Sequence, residues 1–244
     1  MYSIRIRFTR GEEVKFISHL DLMKAFERAI RRAGLPIAYS QGFNPHPQMV
    51  FGLPLPVGVT SDGEYADFEL IRQMDPDKFM NVLNGALPEG IRIRAACVKN
   101  IKANIMATIS AADYLLDIFL NEMVSLEEVA AKLDKMMKMQ CIKVLKEGKD
   151  SAKEIDIRPL ILSIKLEELM RVPSGYEGFK TAFAVRAGFK AGSAANLRPE
   201  LFIKALAEHA GFPVAASRLH RMALYVEKNG RRVSPLNEIV LNDI

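Results

Sequence analysis

Tryptophan is absent from this 244-residue chain, and cysteine occurs only twice. Histidine occurs four times, and no apolar run approaches a membrane span. The missing tryptophan excludes nothing by itself. Two cysteines, Cys97 and Cys141, cannot build a disulfide framework. They are also too few for a cluster held by three thiolates, and they suit a reducing cytoplasm. Crossing a bilayer takes about 20 consecutive apolar residues, so no membrane segment is expected. The first residues alternate like a strand, so no signal peptide is expected and the localisation reads as cytoplasmic. Also missing are the Gly-Lys-Ser/Thr ending of a P-loop, the G-x-G-x-x-G fingerprint, zinc-ligand spacing and a nucleophile elbow. No catalytic residue set, metal or cofactor is expected from motifs.

What is present is ordinary for a globular protein: 49% hydrophobic and 26% charged residues, enough for a sizeable core. Net charge is +5. Its distribution carries more information than its total. Residues 1–48 hold eight Lys/Arg against four Asp/Glu, and residues 180–232 hold ten against three. Between them, residues 62–89 hold seven acids against two bases. A basic beginning and a basic end point to one basic face, the electrostatic footprint of a nucleic-acid partner.

The stretch from Phe16 to Gly58 concentrates the unusual residues. Ser18 has the chemistry of an N-cap, and Asp21 three residues later completes an acidic capping box. Leu22, Met23, Phe26, Ala29, Ile30 and Ala33 then form one apolar helical stripe. Gly34 and Pro36 end it. Lys24, Arg28 and Arg31 lie on the opposite face, either as a solvated surface or as a phosphate-binding ridge. Arg5 and Arg7 alternate with Ile4, Ile6 and Phe8 in the preceding strand, which puts both arginines on its polar face. The loop that follows contains Gln41, Gly42, Phe43, Asn44, Pro45, His46 and Pro47. Its glycine and prolines specify a stiff turn, from which Phe43 projects either into the core or toward a base. His19 and His46 are the candidates for general acid/base chemistry. Asp62, Glu64, Asp67 and Glu69 alternate on a strand and read as a solvated face.

Taken in order, residues 1–104 give β-α-β-β-α-β, the ferredoxin-like pattern. The strands are 3–9, 37–40 with 48–53, 64–71 and 91–99; the helices are 19–33 and 76–87. Residues 100–111 read as a linker. Residues 105–244 repeat the pattern, with strands at 114–120, 141–145, 160–172, 179–187 and 214–227. Their helices start after Ser125 and at Pro199. Lys146–Glu154 reads as a polar loop, and Asn229–Arg232 as a basic turn near a short basic tail. The expected fold is therefore α+β: two tandem ferredoxin-like units with antiparallel sheets. In the second unit, the small-residue loop Ala191–Asn196 precedes a helix N-terminus, an anion-friendly arrangement with Asn196 and Arg198 beside it. Arg158, before Pro159, wants a carboxylate if buried and a phosphate if exposed.

Three segments carry a family resemblance: FISHLDLMKAFERAIRRAGLPIAYSQGFNPHPQMVFGLPLPVGV at 16–59, IDIRP at 155–159 and AGSAANLRPE at 191–200. They resemble the uncharacterised radical-SAM-associated (radical-SAM-linked) bacterial protein family. That resemblance implies a domain found alone or joined to a radical-SAM protein of the cobalamin-binding type, with the iron–sulfur cluster in the partner. It supplies no catalytic residues.

The leading functional expectation is a non-catalytic RNA-binding or RNA-presenting accessory protein linked to RNA modification or processing. Its contacts would come from Arg5, Arg7, Lys24, Arg28, Arg31, Gln41, Phe43, Asn44, His46, Arg158, Asn196 and Arg198. One alternative is a substrate-binding partner of a radical-SAM enzyme. The other is a metal-independent RNA endonuclease, with His19 or His46 as acid/base and Lys15 or Arg28 stabilising the phosphorane-like state.

Overall fold

Alternation sets the first strand. In the computed structural model, which describes residues 2–148, 151–169 and 171–240, β1 (Tyr2–Arg10) turns Ile4, Ile6 and Phe8 to one buried face. α1 (His19–Ala33) lays Leu22, Phe26, Ala29 and Ile30 on that face. The chain continues through β2 (Met49–Phe51), β3 (Thr60–Leu70), α2 (Pro76–Asn84) and β4 (Ile91–Val98). β3 and β4 flank β1, β2 pairs with β3, and all three pairings are antiparallel. α2 adds Phe79 and Leu83 to the same core. Phe26 lies at its centre, its ring 5.2 Å from those of Phe8 and Phe51 and 5.9 Å from Phe68. Burying each such side chain stabilises by roughly 1.5–3 kcal/mol.

α2 begins where Asp75-Pro76 predicts, with Asp75 Oδ1 accepting from the Lys78 amide at 2.9 Å. It ends at Asn84, short of the expected Leu87. The Asn84 side chain explains the stop. It donates to Ile93 O at 3.0 Å and accepts from Ile93 N at 2.8 Å, tying the helix end to β4.

The expected linker at 100–111 is structured. Asn104 caps a single turn, α3 (Ile105–Thr108), through the Ala107 amide at 3.0 Å. β5 (Ile109–Leu120) starts directly after it. The rest of the chain comprises α4 (Leu126–Met137), β6 (Lys143–Glu147), β7 (Ala152–Asp156), β8 (Ile161–Glu167), β9 (Thr181–Lys190), α5 (Pro199–His209), β10 (Val214–Lys228), β11 (Arg231–Val233) and α6 (Pro235–Val240). The fold is thus mixed α and β, with a large, mostly antiparallel sheet and six α-helices among the described residues.

Two compact units emerge. Unit 1 holds the described residues up to Ala111, Gly192–Ala194 and those from Arg221 onward. Unit 2 holds Ala112–Ala191 and Ala195–His220. β10 therefore contributes its first half to unit 2 and its second half to unit 1. Within unit 1 that second half lies beside β3, and Gly63 makes the approach possible. A Cβ there would sit 2.9 Å from Ala223 Cα and from Met222 O. A tight hairpin through Asn229 and Gly230, both at positive φ, returns β11 onto β10.

Within unit 2 the strand order is β10-β5-β9-β8, and its core includes Phe183, Phe189, Phe202 and Phe212. Ser125 caps α4 as expected, accepting from the Glu128 amide at 3.2 Å. The polar loop expected over Lys146–Glu154 is instead largely a hairpin of β6 and β7, pairing Lys143 with Asp156 and Glu147 with Ala152. Residues 149 and 150 lie outside the described residues. Most side chains of this hairpin are exposed, so it lacks the apolar alternation that marks a strand in sequence. β8 ends at Glu167, before the expected Val172, although residue 170 lies outside the described residues. β9 starts at Thr181 and not at Phe179, because Phe179 and Tyr176 turn onto the Phe119 ring at 5.6 and 4.3 Å.

Candidate nucleic-acid interface

The α1 helix is defined at both ends by side-chain chemistry. Ser18 Oγ accepts from the Asp21 amide at 3.1 Å and donates to Asp21 Oδ2 at 2.7 Å. That hydroxyl contact is the main reason the Asp21 carboxyl sits below its ordinary pKa. At the other end Gly34 takes the left-handed conformation, φ 60°, and its N–H reaches Arg31 O and Ile30 O. With Leu22, Phe26, Ala29 and Ile30 turned inward, Lys24, Arg28 and Arg31 are left exposed on the outer face. Arg32 is occupied, donating to Ala86 O.

The loop after α1 is closed by a clasp. The Ser40 amide donates to His46 O at 2.9 Å, the His46 amide donates to Ser40 Oγ at 3.0 Å, and Tyr39 bridges to Pro47. Gln41, Asn44 and His46 are exposed, and Phe43 is fully exposed at 112% of its reference surface. Of the two positions open to Phe43, core or outward, the structure has the outward one. His46 Nδ1 lies 4.0 Å from Glu27 Oε1 on α1, so the loop stands beside the helix that carries the ridge.

The arginines of β1 behave differently. Arg5 is fully buried. Its Nε and Nη2 grip Asp67 Oδ1 and Oδ2 at 2.6 and 3.0 Å, and Nη1 donates to Pro235 O. The expectation that Arg5 contacts nucleic acid from an exposed face is therefore corrected: the face is polar but covered. Arg7 is half-buried, with Nε donating to Asp62 O at 3.2 Å. The solvated acidic face expected on β3 is corrected for the same reason. Glu64 and Asp67 are buried, each against arginine.

Glu64 anchors a second interior cluster. Arg221 Nη1 lies 3.2 Å from Glu64 Oε1 and also donates to Leu53 O, while Nη2 donates to Pro54 O. Ser61 Oγ donates to Glu64 Oε1 at 2.7 Å. Arg10, 1% exposed, gives Nη2 to Val14 O and Ile17 O, while its Nε and Nη1 have no hydrogen-bond partner among the described residues. His19 packs edge-on against Phe51, ring centroids 5.7 Å apart. Burial first, then the Arg10 charge, hold its imidazole below the ordinary pKa, so it is neutral near pH 7.

Beside the clasped loop lies a pocket of about 310 Å³, among whose lining residues are Ser40, His46, Gln48, Asp67, Glu69 and Lys99. Sequence reading missed Lys99, which looks there like the ordinary polar end of a strand. No spacing signal marks it, because its side chain meets Asp67 and Glu69, which belong to a strand far earlier in the chain. Cys97, two residues earlier, is pushed up to about 11 by burial and is held as an unreactive thiol.

The remaining site candidates belong to unit 2. Arg158 is half-buried, its Nε donating to Met137 O at 3.1 Å, so the backbone takes the place of the partner expected for it. Asn196 and Arg198 are exposed at the loop leading into α5, where Arg198 holds the N-cap position without a side-chain cap. Among the described residues, no group of three His, Cys, Asp or Glu is placed to hold a metal. No helix there is long and apolar enough to cross a membrane.

Several solved structures resemble the chain weakly. One is a chain of a Cbf5-Nop10-Gar1 complex, at 12% identity and a TM-score of 0.45, covering 90% of this chain and 47% of that one. Another is from an archaeal box H/ACA sRNP Nop10-Cbf5 complex, at 12% identity and 0.40, covering 90% and 46%. A third is from an H/ACA RNP bound to a substrate RNA containing 2′-deoxyuridine, at 12% identity and 0.37, covering 94% and 47%. The chain spans just under half the length of these neighbours, and likeness at this level bears on neither activity nor partner. No curated protein matches the sequence. The family model described as "Uncharacterized protein conserved in bacteria (DUF2344)" matches residues 3–199, and the chain belongs to that family.

Proposed function

We propose that this protein binds single-stranded RNA as a non-catalytic, presenting partner. One observation carries the reading: a clasped loop holds a fully exposed Phe43 beside a helix whose outer face exposes Lys24, Arg28 and Arg31. Single-strand binders combine these two parts, cations that track the phosphates and an aromatic face on which a base stacks. Gln41, Asn44 and His46 add polar contacts from the same loop. Arg7, Arg158, Asn196 and Arg198 are secondary contacts. The scaffold in this proposal is two tandem ferredoxin-like units, divided in sequence at residues 104 and 105. The antiparallel order β4-β1-β3-β2 in the first unit supports that part.

The test is RNA affinity against salt concentration. Removing one cation that neutralises a phosphate should flatten the logarithmic salt slope by about 0.7, so an Arg28→Glu, Arg31→Glu variant should bind more weakly and with a shallower slope. Phe43→Ala should cost about 1–3 kcal/mol with the slope unchanged, because stacking releases no counterions. RNA binding that is undetectable at low salt would overturn the proposal.

The sequence resemblance supports a companion reading, in which this chain grips or delivers the substrate of a radical-SAM enzyme. Co-expression and co-purification test it, and two proteins that never associate would dismiss it. The placement of the histidines does not favour nuclease chemistry. His19 packs on Phe51 and His46 stands by Glu27, arrangements that serve packing and loop placement.

A further inference from the structure

A second phenylalanine is presented to solvent at the start of α1. Phe16 is 73% exposed. Two more apolar side chains of the same region, Leu20 in the first turn of α1 and Val57 next to Gly58, are 66% and 58% exposed. The turn that carries Phe16 is braced from two sides. From the interior, Arg10 Nη2 donates to Val14 O at 3.2 Å and to Ile17 O at 3.1 Å, the carbonyls that flank Lys15 and Phe16. From the other side, the Gly58 amide donates to Lys15 O at 2.7 Å, and a Cβ at Gly58 would lie 3.8 Å from Phe16 Cε1. Lys15 Nζ lies over the Phe16 ring, 5.0 Å from its centroid, and pairs with Glu12 Oε2 at 2.7 Å. A buried guanidinium and a glycine amide thus hold in place an apolar ring of a kind that folding usually buries. From Leu20 the same face of α1 continues through Lys24, Arg28 and Arg31, at steps of four, four and three residues. Glu27, beside which the Phe43 loop stands, follows Leu20 by seven residues, about 10 Å along the helix axis.

We infer that Phe16 is a second stacking platform of the proposed RNA site, taking one base of the strand that also engages Phe43. The inference rests on the single-strand reading and extends its contact surface to the N-terminal end of α1. The Lys15 ammonium occupies one face of the ring, and the base takes the other. Leu20 and Val57 add apolar surface beside it. Lys24 and Arg28 then follow the phosphates that run between the two rings. A braced aromatic side chain suits this task, because little further ordering is needed when a base stacks on it. Every base has a flat face to offer, so the platform carries no base preference. The competing occupant of an apolar patch is another protein surface. Three side chains make a smaller patch than the about 800 Å² a side that a stable protein interface buries. The run of cations that continues from Leu20 favours a ligand with a phosphate backbone.

The experiment uses the full chain and oligoadenylates of increasing length. On the longest, Phe16→Ala should weaken binding about five- to a hundredfold with the salt slope unchanged, since stacking a base releases no counterion. Affinity should also stop rising at a shorter length in that variant, because one platform is gone. Circular dichroism should show it folded like the wild type, as expected for an exposed side chain. The chain has no tryptophan, so Phe16→Trp places a single indole at the platform. That variant should keep its affinity, and its fluorescence should be quenched when RNA binds. Unchanged affinity in Phe16→Ala, with no response from the indole, overturns this inference and leaves RNA binding standing. A wild-type dimer in sedimentation that Phe16→Ala dissociates, with RNA affinity unchanged, assigns the patch to a second copy of the chain and likewise overturns it. Failure of the wild type to bind RNA at low salt overturns both readings.

Discussion

Three arginines carried on strands are interior side chains. Arg5, Arg10 and Arg221 are each 1% exposed or less. A guanidinium is tolerated there only with its charge compensated. Arg5 meets that condition through Asp67. Arg10 and Arg221 share the single carboxylate of Glu64. Replacing Glu64 with Gln would leave two buried cations uncompensated. Glu64→Gln should therefore lower unfolding stability by about 3–5 kcal/mol in a denaturant titration. A change below about 1 kcal/mol would show that Glu64 is not the counter-charge. The alternation of Arg5 and Arg7 with isoleucine was legible in the sequence as two faces of a strand. Which polar face is covered was not, because the covering groups, Ile105 and Pro235, lie 100 and 230 residues further on. The exposed ridge of Lys24, Arg28 and Arg31 was legible, since it depends only on the period of its own helix.

At the scale of elements, α1 was readable to the residue because each of its signals is local. Its cap, its stripe and its stop occupy seventeen consecutive positions, Ser18–Gly34. Gly34 meets no atom within 4 Å of an added Cβ, so a substitution there costs backbone strain alone. Gly34→Ala should cost about 1–2 kcal/mol, and Gly34→Asn less, because Asn tolerates the left-handed region. Thermal melts of the two variants check the order, and equal melting temperatures would remove the strain argument. α3 and the β6–β7 hairpin were not legible. α3 is a single turn stabilised by Asn104 and by the distant Asp67, and the hairpin buries too little to alternate. The stop of α2 at Asn84 was likewise hidden, being set by a contact with β4 and not by a Gly or Pro signal.

For the molecule as a whole, the part with no sequence signal is the return of the chain to unit 1. Residues from Arg221 onward supply that unit with the partner of Glu64, a strand beside Gly63 and the carbonyl that receives Arg5. A fragment ending at Ala111 would lack all three. Circular dichroism of residues 1–111 should show no cooperative melt, whereas adding a peptide spanning 214–240 should restore one. A fragment that melts cooperatively by itself would show these late contacts to be dispensable. The apolar patterns of strands and helices up to residue 98 were legible because their partners follow within the same segment. The pocket was not, since its lysine, its glutamate and its loop meet only after folding.

The late return also sets a clock. A ribosome adds roughly 5–20 residues per second, so about 6–25 s separate the emergence of β4 from that of Arg221. Throughout that interval Glu64 and Arg10 have no third charge, and the edge of β3 beside Gly63 has no strand to pair with. An unpaired edge of this kind is a site for wrong pairing between chains. The cost of holding one arginine until the end is thus measured in exposure time on the ribosome, and slow translation or a crowded polysome should lower the yield of folded protein before any change in its final stability.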